Sequence, residues 1–179
     1  MDWHKLSSIV LSKKQPFSFE VSEIAVIYAH HSYPIIFAGK KSSVLILWDK
    51  TMTSIGELSG GTHTYHHIKL NNNGDKIIGI DSVGDISIWR FNLLFSTRNT
   101  PMLWIRGQDV KDCCFVNNSS FLVTISHKGI AKYDLTKPEK SMKDWDYSDV
   151  TGDKIIYSPH GKCCIVVNFK KNEIYTFDI

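Results

Sequence analysis

Apolar and polar positions change places quickly along this chain. Runs of four to seven residues rich in Val, Ile, Phe, Tyr and Trp are separated by clusters of Gly, Asn, Asp, Ser and Lys. They include Glu23–Ala29 (EIAVIYA), Val44–Trp48 (VLILW), Lys76–Ile80 (KIIGI), Asp85–Trp89 (DISIW), Phe121–Ile125 (FLVTI) and Cys163–Val167 (CCIVV). Over no long window do apolar residues recur at i, i+3, i+4 and i+7, as an amphipathic helix requires. Short β-branched and aromatic runs bounded by turn formers predict strands, and the chain is expected to be all-β.

The runs have a period. An aromatic followed by a polar residue closes a strand at Trp48-Asp49, Trp89-Arg90, Tyr133-Asp134 and Phe177-Asp178, with spacings of 41, 44 and 44. β-Propeller repeats of the WD40 type recur every 40–45 residues or so and end a strand in Trp-Asp. Each period also holds an earlier, almost wholly apolar strand, which would lie between neighbouring blades. Gly84 and Gly129 would relax the turn before the closing strand. Four blades are expected, over residues 22–57, 65–107, 110–146 and 153–179, with a weak outer strand near Trp145. Residues 1–21 would form an extension or a strand of a neighbouring blade, Leu6–Leu11 being its candidate piece. The last blade stops before an outer strand could form, so the four blades are expected to belong to a larger, seven-bladed ring.

The usual turn of such a repeat carries an Asp just before the glycine, tying strands together through a His and a Ser/Thr. Here the position is Ser42, Val83, Lys128 or Asn172 in successive repeats. The expectation is that apolar packing carries stability and that the repeats are divergent. Trp48, Trp89 and Trp104, which end or occupy strands, are expected in the core. Ser87, between Ile86 and Ile88, is expected to face outward.

Composition narrows the functional classes. Twelve per cent aromatic residues and a net charge of +3 over 179 residues exclude a mostly disordered chain. The same mild charge gives no electrostatic case for nucleic acid or an anionic membrane. No apolar run approaches the roughly 20 residues needed to cross a bilayer as a helix. The opening MDWHKLSS predicts no secretory leader, and a cytoplasmic location is expected. The four cysteines form two vicinal pairs, Cys113-Cys114 and Cys163-Cys164. In a strand, neighbours point to opposite faces, so the pairs are expected to be reduced small hydrophobes and not shared metal sites.

Reactive constellations are not evident. His63, His66 and His67 match no zinc spacing, and His66 and His67 would point apart in a strand. His160 and Cys163 are separated by a turn, which does not align a base with a nucleophile. Gly60-Gly61 is expected in a loop between blades and lacks the Gly-Lys-Ser/Thr of a phosphate loop. No catalytic, cofactor-binding or metal-binding residue is therefore assigned. The positions singled out are structural: Trp48, Asp49, Gly84, Trp89, Gly129, Tyr133, Asp134, Phe177 and Asp178. The expected function is non-catalytic protein interaction.

Three stretches resemble successive blades of the C-terminal propeller of DmX-like proteins, also called rabconnectin-3. They are HSYPIIFAGKKSSVLILWD (His31–Asp49), IKLNNNGDKIIGIDSVGDISIWRF (Ile68–Phe91) and PMLWIRGQDVKDCCFVNNSSFLVTIS (Pro101–Ser126). The turn at His127–Ala131 and the linker after Thr136 depart from that pattern. The resemblance implies a scaffold related to the RAVE complex, a family that promotes assembly of the vacuolar-type proton pump. Its implied partners are peripheral-sector subunits of that pump or RAVE-like proteins, met in the cytoplasm beside endosomal or vacuolar membranes. A scaffold of another cytoplasmic complex is the alternative, and an enzyme on a propeller frame is a third.

Overall fold

In a computed structural model of the chain, the residues described are 24–92, 98–137, 143–147, 149–160 and 162–178. The expected extension 1–21 lies outside them. The described residues form strands and turns. The strands are β1 (Val26–Ala29), β2 (Ile35–Trp48), β3 (Ser54–Leu70), β4 (Lys76–Asp81), β5 (Ile86–Arg90), β6 (Arg98–Asn99) and β7 (Leu103–Ile105). They continue with β8 (Val110–Val116), β9 (Phe121–Ser126), β10 (Gly129–Asp134), β11 (Lys143–Tyr147), β12 (Lys154–Ser158), β13 (Cys163–Asn168) and β14 (Glu173–Asp178). Hydrogen bonding orders them β1-β2-β3-β4-β5-β7 with β6 on β3, then β11-β10-β9-β8, then β12-β13-β14.

The first of these sheets is two blades. Extended, the 14 residues of β2 would separate its ends by about 46 Å. Instead Asp49 N donates to Pro34 O at 3.0 Å, so β2 folds back on itself at the left-handed Ser42 (φ 61°). In β3 the first part pairs with β2 (Leu58↔Val44) and the second with β4 (Tyr65↔Asp81 through Leu70↔Ile77). The same strand thus ends blade 1 and begins blade 2, with a break in the ladder between them, where Ser59 pairs with Ser43 and the next pair is Thr64 with Lys41. Gly60 and Gly61, expected in a loop, lie inside it. A Cβ on Gly60 would stand 2.5 Å from Tyr65 Oη and 2.7 Å from Trp89 Cζ2, which explains the glycine there. Blade 2 is completed by β4, β5 and β7, blade 3 is β8–β11, and blade 4 is β12–β14. The two-residue β6, on the path from β5 to β7, reaches back to pair in parallel with blade 1 at Glu57 and Leu58.

Packing follows the blade interfaces. Phe37, Val44, Ile46 and Leu58 of blade 1 meet Tyr65, Ile77 and Trp89 of blade 2. Ile78, Ile80, Ile86 and Ile88 of blade 2 meet Val110, Cys113, Leu122 and Tyr133 of blade 3. Val116, Val123, Ile125 and Ile130 of blade 3 meet Ile155, Cys164 and Val166 of blade 4. Each aliphatic side chain buried there is worth about 1.5–3 kcal/mol, so no blade is stable without its neighbour. Ala38, Leu45 and Leu47 form a further buried cluster on the opposite side of blade 1. A strand flanked on both faces in this way is apolar at consecutive positions, as in VLILW.

The aromatic and polar expectations need correction. Trp89 is fully buried, but Trp48 is 38% and Trp104 is 49% exposed. Trp48 ends its strand, and Trp104 lies on a three-residue strand at the edge of its sheet. Ser87 does not face water. It is buried, and its Oγ lies 2.7 Å from Tyr65 Oη. The missing turn carboxylate is supplied two residues before Val83. Asp81 Oδ1 accepts from the backbone N–H groups of Val83 (3.1 Å) and Asp85 (3.0 Å), and its Oδ2 lies 3.6 Å from His63 Nδ1. Tyr65 Oη also accepts from Gly61 N at 2.6 Å, and Trp89 Nε1 donates to Ser59 O at 3.0 Å. Blade 2 therefore has a polar network, built from residues the repeat pattern does not specify.

Candidate interaction surface

Neighbouring blades are joined by polar bonds as well as packing, and these bonds keep the period of the repeat. On one face of the arc, the turn after each inner strand grips the next. His30 Nε2 donates to Gly74 O (3.2 Å), while its Nδ1 accepts from Ser32 N and Tyr33 N at 3.0 and 3.1 Å. Two donors on Nδ1 require that nitrogen to be bare, so the proton is on Nε2. Burial, opposed in part by the Gly74 bond, holds the His30 pKa below its usual value. One repeat on, Asn71 Nδ2 donates to Ser119 Oγ (3.0 Å), and next Tyr157 Oη donates to Asn117 Oδ1 (3.4 Å). The turn at 117–120 places Asn118 and Ser119 at φ 51° and 67°, the left-handed values a tight type I′ hairpin demands.

A second line of bonds joins the inner strands. Lys69 Nζ of β3 lies 2.5 Å from Asp112 Oδ1 and donates to Cys113 O at 2.6 Å. Asp112, buried on β8, takes the Ile155 N–H of β12 on Oδ2 at 3.2 Å. Burial works against the Lys69 ammonium, but the charge and hydrogen bond of Asp112 act the other way and its pKa is raised. Lys111 Nζ and Asp153 Oδ1 repeat the motif between blades 3 and 4 at 3.1 Å. The partners in these contacts are 40 to 48 residues apart, one blade in each case.

On the opposite face the turns carry the exposed groups. Arg106 lies with Cζ 4.4 Å above the Trp104 ring, and the two line a shallow cleft with Gly61, Thr62, Asp85 and Ser87. Its floor is fixed, because Gly107 N donates to Asp85 Oδ1 at 2.8 Å and Val110 N to Gly84 O at 3.0 Å. Gly84 has φ 77°, and a Cβ there would stand 2.4 Å from Val110 N, so this position requires glycine twice over. Nearby, Lys128 Nζ donates to Gly107 O at 2.8 Å and His127 pairs with Asp109. Val83 and Phe169 are also exposed, the latter followed by Lys170 and Lys171. Apolar rings interleaved with cations on a fixed backbone suit protein recognition, where Trp and Arg are enriched. A cleft of about 330 Å³ on the first face is lined by Asn72, Phe115, Asn117, Asn118, Tyr157 and Lys162 among others. It holds no acid–base pair.

The singled-out residues fall into different roles. Trp89 and Tyr133 are core, and Phe177 is half-buried against blade 3. Asp49 and Gly84 hold the backbone contacts given above. Gly129 starts β10 at φ 120°, Asp134 Oδ1 accepts from Thr136 N at 2.8 Å, and Asp178 ends β14. His63 stands beside Asp81, whereas His66 and His67 sit on β3 without a common ligand-like geometry. Among the described residues, no three His, Cys, Asp or Glu side chains are grouped to hold a metal ion. The vicinal cysteines separate as strand geometry requires. Cys113 packs toward blade 2, while Cys114 Sγ meets Cys164 Sγ at 3.7 Å between blades 3 and 4. Burial raises the Cys113 thiol to about 12, and the contact with Cys164 together with burial raises Cys114. Thiols held protonated in this way are poor nucleophiles.

The stacked units, four-stranded except for the three strands of blade 4, and their periodic seams define a WD40-type β-propeller. Comparison with solved structures agrees. The chain is similar to the β-propeller domain of Myceliophteria thermophila Cps50 (Swd1), with a TM-score of 0.74 at 10% identity. The likeness covers 87% of this chain and 54% of that one, so the chain spans about half the length of the propeller it matches. No family model matches the chain, and no curated protein does. No helix among the described residues is long and apolar enough to cross a membrane.

Proposed function

We propose that this chain is a non-catalytic protein-interaction scaffold whose recognition surface is centred on Trp104 and Arg106. The observation behind this reading is the combination of an exposed aromatic–cation pair with a backbone immobilised by inter-blade bonds. Such a surface loses little entropy on binding. In its finer form the proposal is a role in assembly or regulation of the vacuolar-type proton pump, as the resemblance to DmX-like propellers implies. The chain would then work in the cytoplasm and reach endosomal or vacuolar membranes through partners. The test is capture of purified peripheral-sector subunits by the full chain, against the Trp104→Ala/Arg106→Ala variant. Loss of binding of tenfold or more in the variant supports the reading. No binding by either chain sinks the pump assignment.

A scaffold in another complex is the second reading. Its support is the likeness to the Cps50 propeller, which speaks for the frame and not for a particular partner. Retention of the Trp104/Arg106 effect with an unrelated partner, together with no affinity for pump subunits, would favour it.

A further inference from the structure

Two of the four thiols meet across a blade seam. Cys114 Sγ of β8 and Cys164 Sγ of β13 lie 3.7 Å apart, although the residues are 50 apart in the sequence. The other two point elsewhere. Cys113 packs toward blade 2. Cys163 follows strand alternation to the other, open side of blade 4, where Ile156 and Ile174 are exposed. All four are free thiols.

The seam pins the pair from both sides. Two residues before Cys114, Asp112 Oδ2 takes the Ile155 N–H at 3.2 Å. Three residues after it, Asn117 Oδ1 accepts from Tyr157 Oη at 3.4 Å. Tyr157 is the ladder partner of Cys164, so β13 is held to β8 through β12. Val123 and Ile125 of blade 3 and Ile155 and Val166 of blade 4 pack in the same cluster as the two sulfurs. A disulfide holds its sulfurs about 2.0 Å apart, so the bond needs about 1.7 Å of further approach. Rotation about the two Cα–Cβ bonds moves the sulfurs by that order without breaking a ladder bond.

We propose that Cys114 and Cys164 are an oxidisable pair, which a peroxide converts into a disulfide that staples blade 4 to blade 3. Cys114 is half-buried and Cys164 wholly buried, so the oxidant meets Cys114 first. The Cys114 thiolate attacks one peroxide oxygen, the O–O bond breaks, and the departing hydroxide takes the thiol proton and leaves as water. The Cys164 sulfur then attacks the sulfenic sulfur, gives up its own proton and displaces the hydroxyl as a second water. Two thiols and one peroxide give one disulfide and two waters, the sulfurs losing the two electrons that the peroxide gains. The contact with Cys164 and burial raise the Cys114 pKa, so the first step is slow. The finished bond resists reduction for the same reason, because Cys114 is a poor leaving thiolate. The staple ties three-stranded blade 4 to a four-stranded neighbour and restricts the unfolded chain. The inference is independent of the Trp104 surface and of any partner it binds.

The test treats the native 179-residue chain with hydrogen peroxide, unfolds it, alkylates it without reductant and digests it with trypsin. The expected product joins residues 112–128 to residues 163–170. Each of these peptides holds a vicinal cysteine pair, so variants assign the link. Cys113→Ala/Cys163→Ala, which keeps only the proposed pair, should still form it, and Cys114→Ala/Cys164→Ala should not. Oxidation should raise the melting temperature of the parent and of the first variant by at least about 5 °C, reversibly with dithiothreitol, and should not raise that of the second. Recovery of Cys114 and Cys164 as free thiols beside an oxidised Cys163 would overturn the proposal. So would a link that forms only in the urea-unfolded chain, a link between two chains in place of one within a chain, or a link that leaves the melting temperature unchanged.

Discussion

Replacing Asp112 by Ala removes one carboxylate that serves three strands. Its Oδ1 faces Lys69 Nζ on β3 at 2.5 Å, and its Oδ2 takes the Ile155 N–H of β12 at 3.2 Å. Breaking a fully buried ion pair costs about 3–5 kcal/mol. Here the Lys69 side chain keeps 32% of its exposure and its bond to Cys113 O, so solvent and the remaining acceptor reduce that cost. The Ile155 N–H loses its acceptor at a buried position, which costs about 1–3 kcal/mol alone. Together these place the loss at about 2–4 kcal/mol. For a chain of this size that lowers the melting temperature by about 4–16 °C. Urea melts followed by Trp fluorescence and by circular dichroism give the free energy directly. The double variant Lys69→Met/Asp112→Leu, which leaves no unpaired charge, should recover only the share owed to the unpaired Lys69 ammonium and keep the share owed to the Ile155 N–H. A loss of under about 0.5 kcal/mol in the single variant would refute the reasoning, because it would mean that the inner-strand seam is not mechanically engaged.

Gly60→Ala should destabilise by about 1–3 kcal/mol through overpacking against Tyr65 and Trp89, read as a lowered urea midpoint. The His30 pKa lies below the ordinary 6.5 because burial disfavours its charged form. The unfolded chain therefore binds more protons on acidification. Its contribution is complete above 6.5 and declines as pH falls toward and through the lowered folded value, so melts at pH 7.5 and 5.0 should differ less in His30→Asn than in the parent. Iodoacetamide at neutral pH should label Cys163 first, since it alone lies on the open side of blade 4. Mass spectrometry should find Cys113, Cys114 and Cys164 protected until the chain unfolds.

The frame was readable from sequence because its cause is periodic. Blades must stack, stacking demands an apolar strand every 41–44 residues, and both Trp89 and Tyr133 mark that strand from the buried side. Trp48 and Trp104 misled because an aromatic at a strand end or on an outer strand has the same local context whether or not another layer covers it. The polar network was hidden for a different reason. A turn carboxylate works equally well from Asp81, because two backbone N–H groups lie within its reach, yet a motif that fixes the position registers it as missing. Gly60-Gly61 has the look of a loop in the sequence because the sterics that require glycine there come from Tyr65 and Trp89, one of them 29 residues away. The inter-blade pairs did leave a signal: Lys69 with Asp112 and Lys111 with Asp153 are opposite charges one repeat apart. The Trp104 cleft left little, since exposure of a ring is set by what fails to cover it.

The single strand that serves blades 1 and 2 bears on how this chain can change length over evolution. Insertions survive at a surface where no ladder partner is fixed. In β3 Ser59 pairs with Ser43 and the next pair is Thr64 with Lys41, so residues 60–63 have no ladder partner, and Thr62 and His63 are exposed. Added residues in the paired parts on either side would slip the register of one blade or the other and turn its inward side chains out. Length variation among relatives should therefore spare those paired parts and, at the junction of the first two blades, be confined to Thr62-His63. The same reasoning marks the paired parts of β3 as poor sites for circular permutation or for inserting a reporter domain.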